Sequence, residues 1–140
     1  MPESEFRVEV RPAVDNDLAY ISSTWLKAYL SGSALGSRMS HETYYTLHRP
    51  LVASLLGRCT VTVAHPAEDH DTILGFIVCA PGVVHMLYVR NAWRGNGIAR
   101  TLMADRDPNA TLFTCWTEAG ASLARKYRGL TYYPYAARGV

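Results

Sequence analysis

Leu87-Tyr88-Val89-Arg90-Asn91-Ala92-Trp93-Arg94-Gly95-Asn96-Gly97-Ile98-Ala99 is the stretch on which the reading of this chain turns. It begins as the end of an apolar run, Val83-Val84-His85-Met86-Leu87-Tyr88-Val89, which reads as a strand. It passes into Gly97-Ile98-Ala99-Arg100-Thr101-Leu102-Met103, which reads as a helix. Between them stand two glycines one residue apart. Glycine there lets the backbone turn tightly and lets an anion come close to the amides. The first amides of a helix lack intrahelical acceptors and lie at the positive end of its dipole, so they suit phosphate oxygens. Arg94 adds a cation. Spacing decides among nucleotide loops. A dinucleotide G-x-G-x-x-G would need glycine at position 100, where Arg100 stands, and a Walker loop would need Lys after the last glycine, where Ile98 stands. On the glycines alone, a plain surface turn accounts for the stretch equally well.

Upstream, Phe6-Arg7-Val8-Glu9-Val10 alternates as a half-exposed strand that Pro12 ends. Asp15 or Asp17 then caps a helix near 16–30, whose apolar face is Leu18, Ile21, Trp25, Leu26, Tyr29 and Leu30. Ser31-Gly32-Ser33 breaks it. Ser40 caps a second helical stretch carrying Tyr44, Tyr45, Leu47, Leu51, Val52, Leu55 and Leu56, kinked or split near Arg49 by Pro50 and closed by Gly57. Cys59–Val63 and Thr72–Cys79 read as strands, with His65-Pro66-Ala67-Glu68-Asp69-His70-Asp71 as a solvated turn between them. Downstream, Thr111–Trp116 is strand-like, Thr117 caps a helix running to Tyr127 and ended by Gly129, and Thr131–Tyr135 is a last extended segment. Short turn-linked strands are antiparallel neighbours. The order predicts an α+β fold, a mostly antiparallel mixed sheet with helices on its faces.

The 140 residues suit one domain, 1–140, without repeats or linkers. A charged fraction of 19% with nine Tyr and three Trp argues against disorder. No apolar run is long enough for a membrane span, and the acidic N-terminus Met1–Glu5 has no signal-peptide core, so a soluble, cytoplasmic protein is expected. The net charge of +2 is too small for a nonspecific nucleic-acid binder. Arg125, Lys126, Tyr127 and Arg128 with the Tyr-rich tail are the one place where nucleic acid could be tracked. Cys59, Cys79 and Cys115 lie in apolar runs without C-x-x-C spacing and read as buried thiols. No metal is expected: His65, His70, Asp69 and Asp71 share one turn, whereas zinc sites gather ligands from several elements.

Arg94-Gly95-Asn96-Gly97-Ile98-Ala99 resembles the Arg/Gln-x-x-Gly-x-Gly/Ala pyrophosphate motif of the GNAT superfamily of acyl-CoA-dependent N-acetyltransferases. The likeness extends through the strand ending Leu87-Tyr88-Val89, through Ile98, Leu102 and Met103, and along the element order of nearly the whole chain. His85–Val89 and Tyr132–Tyr135 also look like compact GNAT-like proteins of phages and prophages. The resemblance implies acetyl-CoA as donor and an amine, on a small molecule or a protein, as acceptor. It implies that the backbone of Leu87, Tyr88 and Val89 pairs with the pantetheine arm, and that a β-bulge splays this strand from Thr111–Trp116. The amides from Gly95 through Asn96, Gly97 and Ile98 to Ala99 would hold the pyrophosphate beside Arg94. The amine would attack the thioester directly, which leaves the cysteines no nucleophilic part. A catalytically weak or inactive CoA-binding module on the same scaffold is the alternative.

His85 is the candidate general base, since strand alternation puts Val83, His85 and Leu87 on one face and a free imidazole titrates near pH ~6.5. A core histidine bonded to a backbone carbonyl fits the same pattern. The family's acidic Tyr falls four residues before the glycine ending the last helix; here that position is Arg125, with Tyr127 two before Gly129. Tyr127 is the candidate acid, with packing the other job open to it. Tyr132, Tyr133 or water could serve instead. Tyr44, Tyr45 and His48 either border the acceptor or pack as half-buried aromatics, and Glu42 and Glu118 are the acids nearest the expected cleft. The chain stops soon after Tyr135, so the closing strand is abbreviated, and its edge could be covered in a homodimer.

Overall fold

The computed structural model describes residues 7–33, 35–106, 108–115, 126–127 and 129–138. The expected helix over 117–127 lies almost wholly outside the described residues, as do Phe6, Trp116, Glu118, Arg125 and Arg128. The strands are β1 (Val8–Pro12), β2 (Thr60–Pro66), β3 (Gly75–Ala80), β4 (Val83–Val89), β5 (Leu112–Phe113) and β6 (Thr131–Tyr132). They form one six-stranded sheet in chain order. β1 to β4 are antiparallel neighbours, whereas β5 runs parallel to β4 and β6 parallel to β5. The helices are α1 (Asp15–Gly32), α2 (Leu35–Arg38), α3 (His41–Arg58) and α4 (Ile98–Met103).

Both faces of the sheet are covered. Ile21, Trp25, Leu26 and Leu30 of α1 and Tyr44, Val52 and Leu55 of α3 pack with Val61, Val63, Phe76, Val78 and Met86 on one side. Ile98, Leu102 and Met103 of α4 pack with Leu74, Ile77, Cys79, Val84, Val89 and Phe113 on the other. The mixed α+β sheet and the helices on both faces are therefore as the pattern predicts.

Asp17, at the third position of α1, does the capping: its carboxylate accepts the Val14 N–H at 2.8 Å and pairs with Arg11 at 2.8 Å. Ser40 caps α3 by accepting the Thr43 N–H at 3.1 Å. Pro50 does not split α3, which is continuous over 18 residues. Proline removes a single backbone bond, and Tyr44 on one side of it with Val52 and Leu55 on the other are buried in the same core. β2 runs further than its apolar pattern suggested. His65 is not in a solvated turn but pairs with Glu9, is 1% exposed and stacks on His70 with ring centroids 4.5 Å apart. β5 keeps only two of the expected strand residues, and Tyr135 lies in a 3-10 helix over Pro134–Arg138 rather than in extended chain.

The position of the site is set by two irregularities in β4. Against β3, Val78 faces Met86 while Cys79 faces Val84, so His85 is an extra, bulged residue. The bulge breaks the alternation that would have grouped Val83, His85 and Leu87, because a bulge shifts the residues before it relative to those after it. Against β5, β4 pairs only through Val83–Leu112 and Val84–Phe113. From Met86 onward no strand among the described residues lies on that side of β4.

Candidate active site

A cleft of about 1180 Å³ opens where β4 and β5 part. Met86, Leu87, Tyr88 and Val89 form its wall along β4, Trp93 to Gly95 with Gly97 to Arg100 its end, and Thr24, Lys27, Ala28, Ser31 and Gly32 its flank along α1. Lys126 and Tyr127 complete the described lining. Four cations line it, Lys27, Arg94, Arg100 and Lys126, and no Asp or Glu among the described residues does.

The glycine loop has the conformation its spacing requires. Gly95 has φ 86° and Gly97 φ 79°, both in the left-handed region where glycine is unhindered. A Cβ on either would meet nothing within 4 Å, so the backbone there faces open space. Gly97 is the N-cap of α4, and the first intrahelical bond runs from the Thr101 N–H to the Gly97 carbonyl at 3.1 Å. Helix geometry thus leaves the amides of Ile98, Ala99 and Arg100 without intrahelical acceptors. Arg94 is tied to the loop, its Nε donating to the Val89 carbonyl at 3.0 Å. The Asn96 side chain does not line the cleft; its amide donates to the Trp93 carbonyl at 3.0 Å and braces the loop from within. Arg90, directly after β4, donates away from the loop to the Tyr20 hydroxyl at 3.1 Å.

The two acid–base candidates are placed differently. Tyr127 lines the cleft, with the Arg106 guanidinium 4.9 Å above its ring centroid. His85 is 1% exposed and is not in the lining. Its Nδ1 lies 2.9 Å from Oγ1 of Thr114, at the point where the strands part. Burial, with the charge of Arg58 adding to it, pushes the imidazole down to about 4. Cys115 is no activated nucleophile: burial pushes its thiol up to about 11, and Trp25 Nε1 donates to its Sγ at 3.4 Å. Tyr44 belongs to the core, and the half-buried His48 packs beside it. Tyr44 is fully buried and donates to the Leu26 carbonyl at 2.6 Å, and His48 stacks on its ring at 4.4 Å.

Sequence reasoning missed the α1 flank. Thr24, Lys27, Ala28 and Ser31 recur at three and four residues, a polar stripe beside the apolar one. Their spacing was legible, but nothing in it says which structure they face. Among the described residues no three His, Cys, Asp or Glu side chains gather as metal ligands, and no helix is long and apolar enough to cross a membrane.

Comparison with known proteins agrees with this geometry. A model of the acetyltransferase (GNAT) family matches residues 19–105. No curated protein matches the sequence. Among solved structures, a putative acetyl transferase from Pyrococcus furiosus superposes with TM-score 0.58 at 16% identity, over 91% of this chain and 82% of that one. The aminoglycoside N-acetyltransferase AAC(6')-Iy, solved in complex with CoA, gives 0.52 at 10% identity, over 90% and 87%. Apo YjaB from Escherichia coli gives 0.51 at 22%, over 70% of this chain, which spans 63% of its length. These likenesses are of fold, and the family match covers more than half of the chain. The chain belongs to the acetyltransferase (GNAT) family.

Proposed function

We propose that this protein transfers an acetyl group from acetyl-CoA to an amine on a small molecule or a protein. The observation that carries the reading is the meeting of two backbone features in one cationic cleft. Among the described residues no strand lies beside the edge of β4 over Leu87, Tyr88 and Val89, and this edge leads toward the two left-handed glycines that precede α4. An extended amide-bearing arm can pair with such an edge as an added strand. A diphosphate at its end meets the amides of Gly95 to Ala99, with Arg94 close by and Arg100, Lys126 and Lys27 supplying positive charge.

In this reading the amine nitrogen attacks the thioester carbonyl, the new C–N bond forms, and the C–S bond breaks. The Tyr127 hydroxyl gives its proton to the departing thiolate and recovers one from solvent. His85, the sequence's choice for the base, is assigned to the strand junction instead. An imidazole bonded to Thr114 and held near 4 is a weak base at neutral pH, so the amine loses its proton to water in the open cleft. The buried position of His85 is also what favours the second reading, a CoA-binding module with little or no turnover.

Calorimetric titration with acetyl-CoA, followed by thiol-detected CoA release over a panel of amines, tests both. Binding with amine-dependent release supports the transferase. Binding without release from any amine supports the module, and no binding at millimolar acetyl-CoA removes both.

A further inference from the structure

We infer that the His85–Thr114 pair is the end wall of the acyl slot and restricts this chain to short acyl groups. The inference rests on the donor reading above. The direction of the bound arm follows from the chain: the phosphate-holding loop comes after Val89, so the arm runs back along β4 and its thioester end points toward Met86. The cleft lining follows the same path, through Val89, Tyr88, Leu87 and Met86, and stops before His85.

At that point the strands are bonded shut. Nδ1 of His85 and Oγ1 of Thr114 are 2.9 Å apart, the Thr114 N–H donates to the Val84 carbonyl at 3.2 Å, and the Thr114 hydroxyl lies 3.4 Å from the His85 carbonyl. His85 and Thr114 are 1% and 4% exposed. The β4 bulge makes His85 the extra residue between Val84 and Met86, so its ring takes part in no ladder alternation and is free to meet Thr114 across the junction. An apolar wall could deform around a longer acyl tail. This wall yields only by parting two buried polar groups, which takes from the buried imidazole the bond its Nδ1 makes to Thr114.

The test measures dissociation constants for CoA, acetyl-CoA, propionyl-CoA, butyryl-CoA and hexanoyl-CoA by calorimetry. The wild-type chain is expected to bind acetyl-CoA at least about tenfold more tightly than butyryl-CoA, the scale on which a pocket discriminates methylenes. His85→Ala and Thr114→Ala are each expected to bring that ratio within about threefold, while Thr114→Ser, which keeps the hydroxyl, retains it. CoA itself reports whether each variant still has its cleft. Equal binding of all four thioesters by the wild type overturns the end wall, and needs no variant to fold. Variants that bind CoA normally and keep the wild-type ratio overturn it as well. A wild type that binds neither CoA nor any thioester overturns the donor reading itself.

Discussion

The two ends of β4 have the same neighbour on one side and opposite surroundings on the other. Along β3 the strand is paired from Val83 to Val89, interrupted only by the bulge. On its other side the first half is closed: Val83 and Val84 pair with β5, and His85 meets Thr114. The second half, from Met86, borders the cleft. The lesson concerns how a sheet makes a binding edge. Unpaired backbone N–H and C=O groups are costly unless something bonds them, so a ladder that stops partway leaves a strip ready for an extended ligand. Here the stop coincides with a bulge of β4 against β3 and with the contact of His85 and Thr114 across the junction.

The largest effect we expect distinguishes two glycines of equal φ, one in the turn before β4 and one in the loop after it. Gly82 and Gly97 both have φ 79°. Valine in that region costs about 1–2 kcal/mol of backbone strain, so Gly82→Val and Gly97→Val should lower stability alike. Gly97 precedes the amides that open α4, whereas Gly82 lies in the turn whose carbonyl accepts the Thr111 N–H at 3.1 Å. Acetyl-CoA affinity should fall about a hundredfold at Gly97, the scale of one lost bond to a charged group, and little at Gly82. Equal losses in calorimetry would erase the distinction between the ends. Gly75→Ala comes next. Its Cβ would collide with the Tyr88 carbonyl oxygen and lie 3.2 Å from Val89 Cα and 3.3 Å from Leu102 Cδ1. Overpacking of this kind costs about 2 kcal/mol, to be read in a urea melt, and it should weaken the open end while the Gly82 turn keeps its form.

The open end was legible in the sequence and the closed end was not. Gly95 and Gly97 announce left-handed backbone between a strand and a helix, while Arg94 to Ala99 are marked out by their resemblance to the pyrophosphate motif, and of these the Asn96 side chain does not line the cleft. The bounds of β4 and the N-cap role of Ser40 were legible for similar local reasons, a run between turn residues and a hydroxyl before a helical pattern. The bulge at His85 was not legible. A bulge is a register difference between two strands, and no single run of apolar residues carries it. Period-two reasoning therefore placed His85 on the face of Leu87 and made it a base, when its partner is Thr114, 29 residues away. His65 was misread for a related cause. Flanking charges suggested solvent, but pairing with β1 carries the strand past them.

Acid should act on the closed end first. The His85 imidazole, pushed down to about 4 by burial, stays neutral in the folded chain while an unfolded chain takes up its proton near pH ~6.5. The unfolded state therefore binds more protons between those values, and folding stability falls as pH drops through that window. The slope reaches about 1.4 kcal/mol per pH unit at its steepest. His85→Asn, which does not titrate, should flatten that part of the stability curve. A wild-type curve as flat as the variant's would mean that the junction opens without cost.

Asp17 gives the smallest effect and the cleanest control, because it holds α1 at the end away from the cleft. Its carboxylate accepts from Arg11 at 2.8 Å and from the Val14 N–H at 2.8 Å. The Arg11 bond, then the Val14 bond, hold its pKa below the ordinary Asp value against the opposing effect of burial. A lowered native pKa means that its stabilisation is present above pH ~3.9 and is lost as pH falls through the native value, below the window in which His85 acts. Asp17→Ala removes a helix cap and should cost about 1 kcal/mol in a denaturant melt. The α1 residues that line the cleft, Thr24, Lys27, Ala28 and Ser31, begin two turns further along the helix. Acetyl-CoA affinity should therefore be unchanged in Asp17→Ala, and a loss there would mean that the cleft depends on how α1 starts as much as on how β4 ends.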